Sequence, residues 1–227
     1  MDQYGPYLRE MGLIRWRFGS QSTDRAELLS KPGTLSRDGA PKTNSANLAA
    51  LAREANGCKR CELHRTRGKV VFGLGSPGVR WMFVGEAPGA EEDKQGLPFV
   101  GRAGTLLEGM LGSLHLSRDD VYITNVLKCR PPNNRDPFGQ EVRECSPFLH
   151  RQIGLVQPEV IVAMGRFAAQ VLLDSDQSLG QLRGRPHNFG ENPVPVVVTY
   201  HPAYLLRSPA AKSKTWEDLL LARSLLT

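Results

Sequence analysis

The four cysteines of this chain are spaced like the ligands of one metal centre. Cys58 and Cys61 form a tight pair, and Cys129 and Cys145 follow far along the chain. A tight pair with two distant thiols is typical of a four-thiolate site that holds an iron–sulfur cluster or a zinc ion. The second tight pair common in zinc sites is missing, which favours the cluster slightly, but the spacing leaves zinc and four unrelated buried thiols open.

Polar residues that could bind or transform a ligand follow three short apolar runs. Residues 85–89, Gly-Glu-Ala-Pro-Gly, form a tight turn whose amides can approach a ligand closely and whose carboxylate is Glu86. Asn125 follows the next run, and its amide donates and accepts side by side, which suits the edge of a base. His201 follows the last run. Each alone is more often structural, the Asn as a turn former and the His as a hydrogen-bonded core residue.

A loop at residues 97–104 adds one aromatic side chain to this set. Phe99 lies in the sequence Leu-Pro-Phe-Val-Gly-Arg-Ala-Gly and offers a flat surface for stacking. A lone Phe is more often a core residue, so this loop gains meaning only beside the other motifs.

The elements that must position these residues alternate between strands and helices. Apolar runs predict buried strands at 81–84, 121–124, 160–163 and 194–198. Helical patterns run from Ser45 to about residue 57 and over 103–114, 140–156, 166–173 and 214–226. This alternation predicts an α/β fold, a three-layer αβα sandwich around a central, largely parallel four-stranded sheet. Ligands bind such sheets beyond the carboxyl ends of the strands, where the polar residues lie.

Composition excludes several classes of protein. With 227 residues, 40% apolar and 23% charged, the chain is not collagen-like, wholly disordered or membrane-embedded. Its first residues lack the basic start and apolar run of a secretory signal, so we expect it inside the cell, with reduced cysteines. A formal net charge of +6 suits a polyanionic partner.

Together these segments resemble the family 4 uracil-DNA glycosylases, the iron–sulfur branch of the uracil-DNA glycosylase superfamily. The resemblance covers residues 58–209 and rests on the 85–89 turn with the acidic residues after it, the 98–101 loop, the 125–132 segment, the His-Pro-Ala sequence at His201 and the cysteine spacing. It implies a [4Fe-4S] cluster held by Cys58, Cys61, Cys129 and Cys145. The implied domains are a flexible N-terminal extension, 1–43, and a glycosylase domain with an embedded iron–sulfur site, 44–227.

The resemblance implies a monofunctional DNA glycosylase. Such an enzyme flips deoxyuridine out of single- or double-stranded DNA and hydrolyses its N-glycosidic bond, which releases uracil, leaves an abasic site and initiates base excision repair. Phe99 would stack on the uracil ring, and Asn125 would pair with its O4 and N3–H edge. The implied uracil-binding residues are Gly85, Ala87, Glu92, Phe99 and Asn125.

Glu86 and His201 are the implied catalytic residues. His201 would donate a hydrogen bond near uracil O2, where negative charge develops, and Glu86 would orient water or support the cationic sugar. The better-known branch of the superfamily carries an aspartate where Ala87 stands, so its general base cannot be carried over. Glu92 could shape the pocket or crowd a thymine methyl group.

DNA contacts are implied for the segment after His201. Leu205, Leu206 and Arg207 resemble a loop that enters the minor groove, with Arg207 on a phosphate. The basic stretch 59–69, with Lys212 and Lys214, would follow the backbone. We expect a monomer in the cytoplasm, associated with the nucleoid and with no membrane contact.

Three alternatives stay open. The first is a uracil-DNA-binding relative that attaches covalently through a histidine in an inserted basic loop, but residues 125–140 contain no histidine. The second is a non-catalytic DNA-binding module in which the metal only stabilises the fold. The third is an accessory domain of a DNA polymerase, although the 227 residues hold no polymerase-like remainder.

Overall fold

The computed structural model describes residues 42–190 and 194–226, and five strands in these ranges form one sheet. The order across the sheet is β2-β1-β3-β5-β4; β4 is antiparallel to β5, and the other neighbours are parallel. The strands are β1 (Trp81–Gly85), β2 (Val121–Asn125), β3 (Val160–Met164), β4 (Pro186–Phe189) and β5 (Val194–Thr199).

The four predicted strands are confirmed to within one residue, but the prediction of a four-stranded sheet is wrong by one strand. The additional strand is β4, which lies at the edge and alternates between exposed and half-buried residues. An edge strand of this kind has no continuous apolar run, so its sequence gives no strong strand signal.

Helices cover both faces of the sheet. The predicted helices are confirmed; α2, α6 and α7 were not predicted because each is shorter than two turns and shows no apolar period. No helix within 42–190 and 194–226 is long and apolar enough to cross a membrane. The helices are α1 (Lys42–Gly57), α2 (Ala90–Gln95), α3 (Arg102–Ser113), α4 (Gly139–Val156), α5 (Arg166–Leu173), α6 (Leu179–Leu182), α7 (Pro202–Arg207) and α8 (Lys212–Ser224).

Alternate strand residues point into two separate cores, which confirms the three-layer sandwich. On one face, Met82 and Val84 of β1 pack with apolar residues of α1, α4 and α5. On the other face, Trp81 and Phe83 pack with residues of α3, α7 and α8. Because successive strand residues face opposite sides, one strand contributes to both cores.

The parallel register brings the polar strand ends together. Gly85, the last residue of β1, pairs directly with Asn125, the last residue of β2. Beyond the strands the pairing continues, because the amide of Val126 donates to the carbonyl of Gly85 at 2.9 Å and the amide of Leu127 donates to that of Glu86 at 3.0 Å. The turn after β1 and the segment after β2 therefore form one hydrogen-bonded edge.

Helix α1 lies against α4 and begins at Lys42, three residues before the predicted start. Glu54 of α1 pairs with Arg60 at 3.1 Å and with Arg151 of α4 at 2.6 Å. The predicted N-terminal extension, residues 1–43, lies outside the described residues except for its last two.

Candidate active site

A cavity of about 440 Å³ opens beyond the carboxyl ends of the strands. It brings together most of the residues that the sequence singles out, and its volume is typical of small-molecule sites. Gly85 lies beside it rather than in its wall. The lining residues are Glu86, Ala87, Pro88, Gly89, Glu92, Phe99, Ala103, Asn125, Pro131, Asn134, Arg135, His201, Ala203, Tyr204 and Arg207.

Asn125 brings an unsatisfied buried acceptor to the cavity. The residue is 2% exposed, and its Oδ1 has no hydrogen-bond partner in the described part of the chain. A buried acceptor without a partner destabilises the free protein by about 1–3 kcal/mol. Such a group is expected where a ligand supplies the missing donor.

Gly85 is required here because its neighbours approach too closely for any side chain. A Cβ atom on Gly85 would overlap Oδ1 of Asn125 and lie 2.7 Å from Cζ of Phe99. The glycine therefore lets the Asn125 amide and the Phe99 ring meet at the end of β1.

Lys128 is a residue that the sequence analysis missed, and its side chain binds the backbone of Asn125. Its Nζ is fully buried and donates to the Asn125 backbone carbonyl at 2.5 Å and to Thr124 Oγ1 at 2.8 Å. Burial lowers the pKa of Lys128 to about 7. A lysine normally indicates a surface position; the one hint in the sequence is that it stands in an apolar segment directly before Cys129.

Phe99 is held in a strained backbone conformation. Its φ is +53°, in the left-handed region that a bulky residue rarely adopts, and its side chain is 5% exposed. Arg118, also missed by the sequence analysis, holds the loop from one side by donating to the carbonyls of Pro98 and Phe99. The same arginine pairs with Glu108 at 2.9 Å.

Glu92 holds the same loop from the other side. Its Oε1 accepts from the amides of Val100 and Gly101 at 2.9 and 3.0 Å. The carboxylate thus lines the cavity and fixes the position of the Phe99 loop.

His201 caps helix α7, and this contact defines its tautomer. Its Nδ1 accepts a hydrogen bond from the amide of Ala203 at 3.1 Å, so the ring proton lies on Nε2. Burial is the main cause that lowers the pKa of His201 to about 4. The positive charge of Arg207 lowers this pKa further, and the negative charge of Glu92 opposes the shift. The ring lies 5.6 Å from that of Phe99, centre to centre. The cavity therefore contains a neutral imidazole that donates through Nε2.

Glu86 is half-buried at the cavity wall. Burial, aided by the charge of Asp136 and opposed by that of Arg166, raises the pKa of Glu86 to about 7. A carboxyl group with this pKa changes its charge near neutral pH and can accept a proton there.

The segment predicted to contact DNA forms helix α7, and one of its three predicted contact residues, Leu205, is buried. Leu205 is 1% exposed and belongs to the core beneath α7, so its side chain does not reach the surface. Leu206 is 39% exposed, and Arg207 lines the cavity. A short helix buries one residue and exposes the next, whereas the prediction had assumed a loop.

Three arginines of the basic stretch 59–69, which was predicted to follow the DNA backbone, have partners within the protein. Arg60 pairs with Glu54, and Arg65 pairs with Glu62 at 3.1 Å. Arg67 donates to Cys129 Sγ at 3.1 Å and to the Asn56 carbonyl at 3.1 Å.

The four cysteines line one small cavity between the end of α1, the segment after β2 and α4. All four are free thiols, and they share this cavity with Arg67 and Lys128. The amide of Lys128 donates to Cys145 Sγ at 3.3 Å. Within the described ranges, no three Cys, His, Asp or Glu residues are grouped as ligands of a single metal ion.

A known superfamily matches most of this chain. The uracil DNA glycosylase superfamily matches residues 72–220. A type-4 uracil-DNA glycosylase of Archaeoglobus fulgidus is 44% identical over 179 residues, 76% of this chain and 89% of that protein. Type-4 uracil-DNA glycosylases of Sulfurisphaera tokodaii (43% identical, 79% of this chain, 84% of that protein) and Thermotoga maritima (45%, 74% and 89%) are similarly close.

The family match spans the sheet and every residue that lines the cavity at the strand ends. With identities well above 30% over most of both chains, the chain belongs to the type-4 branch of the uracil DNA glycosylase superfamily.

Proposed function

We propose that this chain is a uracil-DNA glycosylase, a monofunctional enzyme that hydrolyses the N-glycosidic bond of flipped-out deoxyuridine in DNA. The products are free uracil and an abasic site, and the reaction initiates base excision repair. The observation that carries the proposal is the buried, unpartnered Oδ1 of Asn125 in a cavity at the strand ends. The names of the type-4 relatives agree with it.

Recognition of uracil follows from the polarity of its edge. Asn125 Oδ1 accepts from N3–H, and Nδ2 donates to O4. Cytosine carries an acceptor at N3 and a donor at N4, so it would leave both partners buried and unpaired, a large penalty against the wrong base. Phe99 stacks on the ring, while Gly85, Ala87 and Glu92 shape the pocket around it.

Catalysis depends on charge that appears as the bond breaks. Negative charge spreads over uracil, and the Nε2–H of neutral His201 stabilises it at O2; this hydrogen bond strengthens in the transition state. The sugar becomes cationic, and ionised Glu86 stabilises that charge or takes a proton from the attacking water.

The metal site fits a [4Fe-4S] cluster held by Cys58, Cys61, Cys129 and Cys145. Four free thiols line one cavity, which is the donor set that a four-thiolate cluster requires. When bound, the cluster supplies structural cross-links. The chain's own residues connect it to the pocket: Lys128 donates to Cys145 through its amide and to the Asn125 carbonyl through its side chain.

DNA approaches over the mouth of the cavity. Leu206 is exposed and the next residue, Arg207, lines the cavity, so we assign the minor-groove contact to these two residues and not to buried Leu205. Both single- and double-stranded DNA are substrates, since each allows the nucleotide to be extruded. The enzyme acts as a monomer on the nucleoid in the cytoplasm, through residues 44–227.

Product analysis tests the proposal. The purified holoprotein is incubated with a DNA strand that carries one uracil, and free base is identified by mass spectrometry. Free uracil with a strand that breaks only after alkali is the expected result. A protein–DNA adduct on a denaturing gel would instead support the covalent alternative, and binding without either product would support the non-catalytic module.

A further inference from the structure

Phe138 is an exposed aromatic side chain that the proposed mechanism does not use. It is 60% exposed, the greatest exposure of any large apolar side chain in the described residues. It stands directly before helix α4, at the end of the segment 131–138. Its exposed ring offers a flat apolar face that a ligand can cover.

The ring of Phe138 is held in place by a buried carboxylate. Glu141, whose side chain is 6% exposed, accepts from both terminal nitrogens of Arg135 at 2.6 and 2.9 Å and from the Phe138 amide at 2.8 Å. The Arg135 guanidinium carbon in turn lies 3.6 Å from the centre of the Phe138 ring. One ring face is therefore covered by a cation, and the exposure of the residue leaves the other side open.

This arrangement borders the cavity. Arg135, Asn134 and Pro131 line the cavity, so the Phe138 ring lies one side chain away from it. Three arginines lie near the ring, and two of them are paired with carboxylates: Arg135 with Glu141, and Arg166 with Asp136 of the same segment at 3.6 Å. The third, Arg143, lies beside Gly139. A flat ring beside arginine side chains suits a nucleic acid strand, in which each base has an aromatic face and each link a negative charge.

We propose that Phe138 stacks on a base that neighbours the flipped nucleotide in the same DNA strand. This inference rests on the proposed function, since the strand is the one that places uracil in the cavity. Stacking on an exposed aromatic ring depends little on base identity, so Phe138 adds affinity without sequence preference. Arg135 and Glu141 are positioning residues for the ring.

The experiment measures strand binding by fluorescence anisotropy. The probe is a single strand with one 2′-fluorinated deoxyuridine, which resists cleavage of the glycosidic bond, and abasic spacers are scanned through the positions on both sides. At one flanking position, the spacer should weaken binding by the wild-type protein about tenfold. Phe138→Leu keeps an apolar side chain of similar size but has no ring; it should bind the intact strand about tenfold more weakly and lose nothing further at that position.

Two further variants complete the test. Phe138→Trp keeps an aromatic ring, so it should keep both the wild-type affinity and the effect of the spacer. Leu97→Ala removes another exposed apolar side chain, 42% exposed and outside the cavity wall, and should bind as the wild type does.

Equal binding by the wild type and Phe138→Leu, or a spacer effect that survives the substitution, would overturn the inference. So would concentration-dependent self-association that Phe138→Leu abolishes while DNA binding stays unchanged, because the ring would then serve a second copy of the chain. Wild-type cleavage of ordinary deoxyuridine separates this failure from a failure of the proposed function.

Discussion

The backbone amide of Ala203 donates a hydrogen bond to Nδ1 of His201, at 3.1 Å. One imidazole therefore caps helix α7 through Nδ1 and keeps its single N–H donor, on Nε2, for another partner. Structural and catalytic roles meet in the same ring, and substitutions can separate them.

His201→Asn and His201→Ala should differ in stability but not in activity. Asparagine can cap the helix, whereas alanine cannot, which destabilises the protein by about 1 kcal/mol. Alanine has no donor, and an asparagine that caps the helix through Oδ1 places Nδ2 where the imidazole has Cδ2, short of the Nε2 position, so both variants should reduce the single-turnover rate by about 10²–10³. The measurements are thermal unfolding and single-turnover cleavage; a His201→Ala variant with wild-type rate would exclude His201 as the donor.

The pH dependence of the chemical step should report Glu86. Its pKa is raised to about 7, so the required carboxylate is lost as the pH falls below 7, and the rate should fall about tenfold per pH unit below that point. His201, with a pKa of about 4, stays neutral from pH 5 to 9 and adds no second inflection.

Substitutions should move this profile in a defined direction. Asp136→Asn removes a charge that raises the pKa of Glu86, so the inflection should shift to lower pH. Glu86→Gln should abolish the inflection and lower the rate about 10²-fold or more. An unchanged profile in Glu86→Gln would assign the titration to another group.

Folding stability should show the same ionisation. Because the folded-state pKa of Glu86 lies above its ordinary value of 4.5, its contribution to stability is present below pH 4.5 and lost as the pH rises through about 7. Glu86→Gln should therefore raise the Tm, relative to the wild type, more at pH 8 than at pH 4. An equal difference at both pH values would contradict the shifted pKa.

Gly85→Ala should abolish activity through a single methyl group. Its Cβ would overlap Asn125 Oδ1 and displace the Phe99 ring, so uracil binding should fail while the sheet still forms. Gly112→Ala, on helix α3, is the matched control because a Cβ there meets nothing within 4 Å. That variant should keep wild-type activity and gain about 0.5–1 kcal/mol of stability. A fully active Gly85→Ala enzyme would show that the pocket is not formed as described.

The proposed cluster predicts the iron and sulfide content of the purified protein. Anaerobically purified protein should contain about four iron atoms and four sulfides per chain, and Cys145→Ser should lower both together with the yield of folded protein. Ser146→Ala, at the neighbouring position, should change neither. Stoichiometric zinc without iron would contradict the cluster.

The sequence predicts the framework of the site because strand burial and parallel topology leave clear patterns. Continuous apolar runs identify four strands, and the polar residues at their ends, Glu86, Asn125 and His201, do meet in one cavity. Lys128 and Arg118 were missed since they act through backbone carbonyls, and no sequence pattern marks a side chain that binds main-chain atoms. Leu205 was misjudged because a short helix hides one of two adjacent leucines.

The most direct test of the central claim is single-turnover cleavage of three matched strands that carry uracil, thymine or cytosine at one position. The holoenzyme and Asn125→Ala are assayed in parallel, with alkali to reveal abasic sites. We predict cleavage of the uracil strand alone by the holoenzyme, and loss of both rate and discrimination in Asn125→Ala. Absence of uracil cleavage by folded protein with an intact cluster, or full uracil-specific activity in Asn125→Ala, would contradict the account.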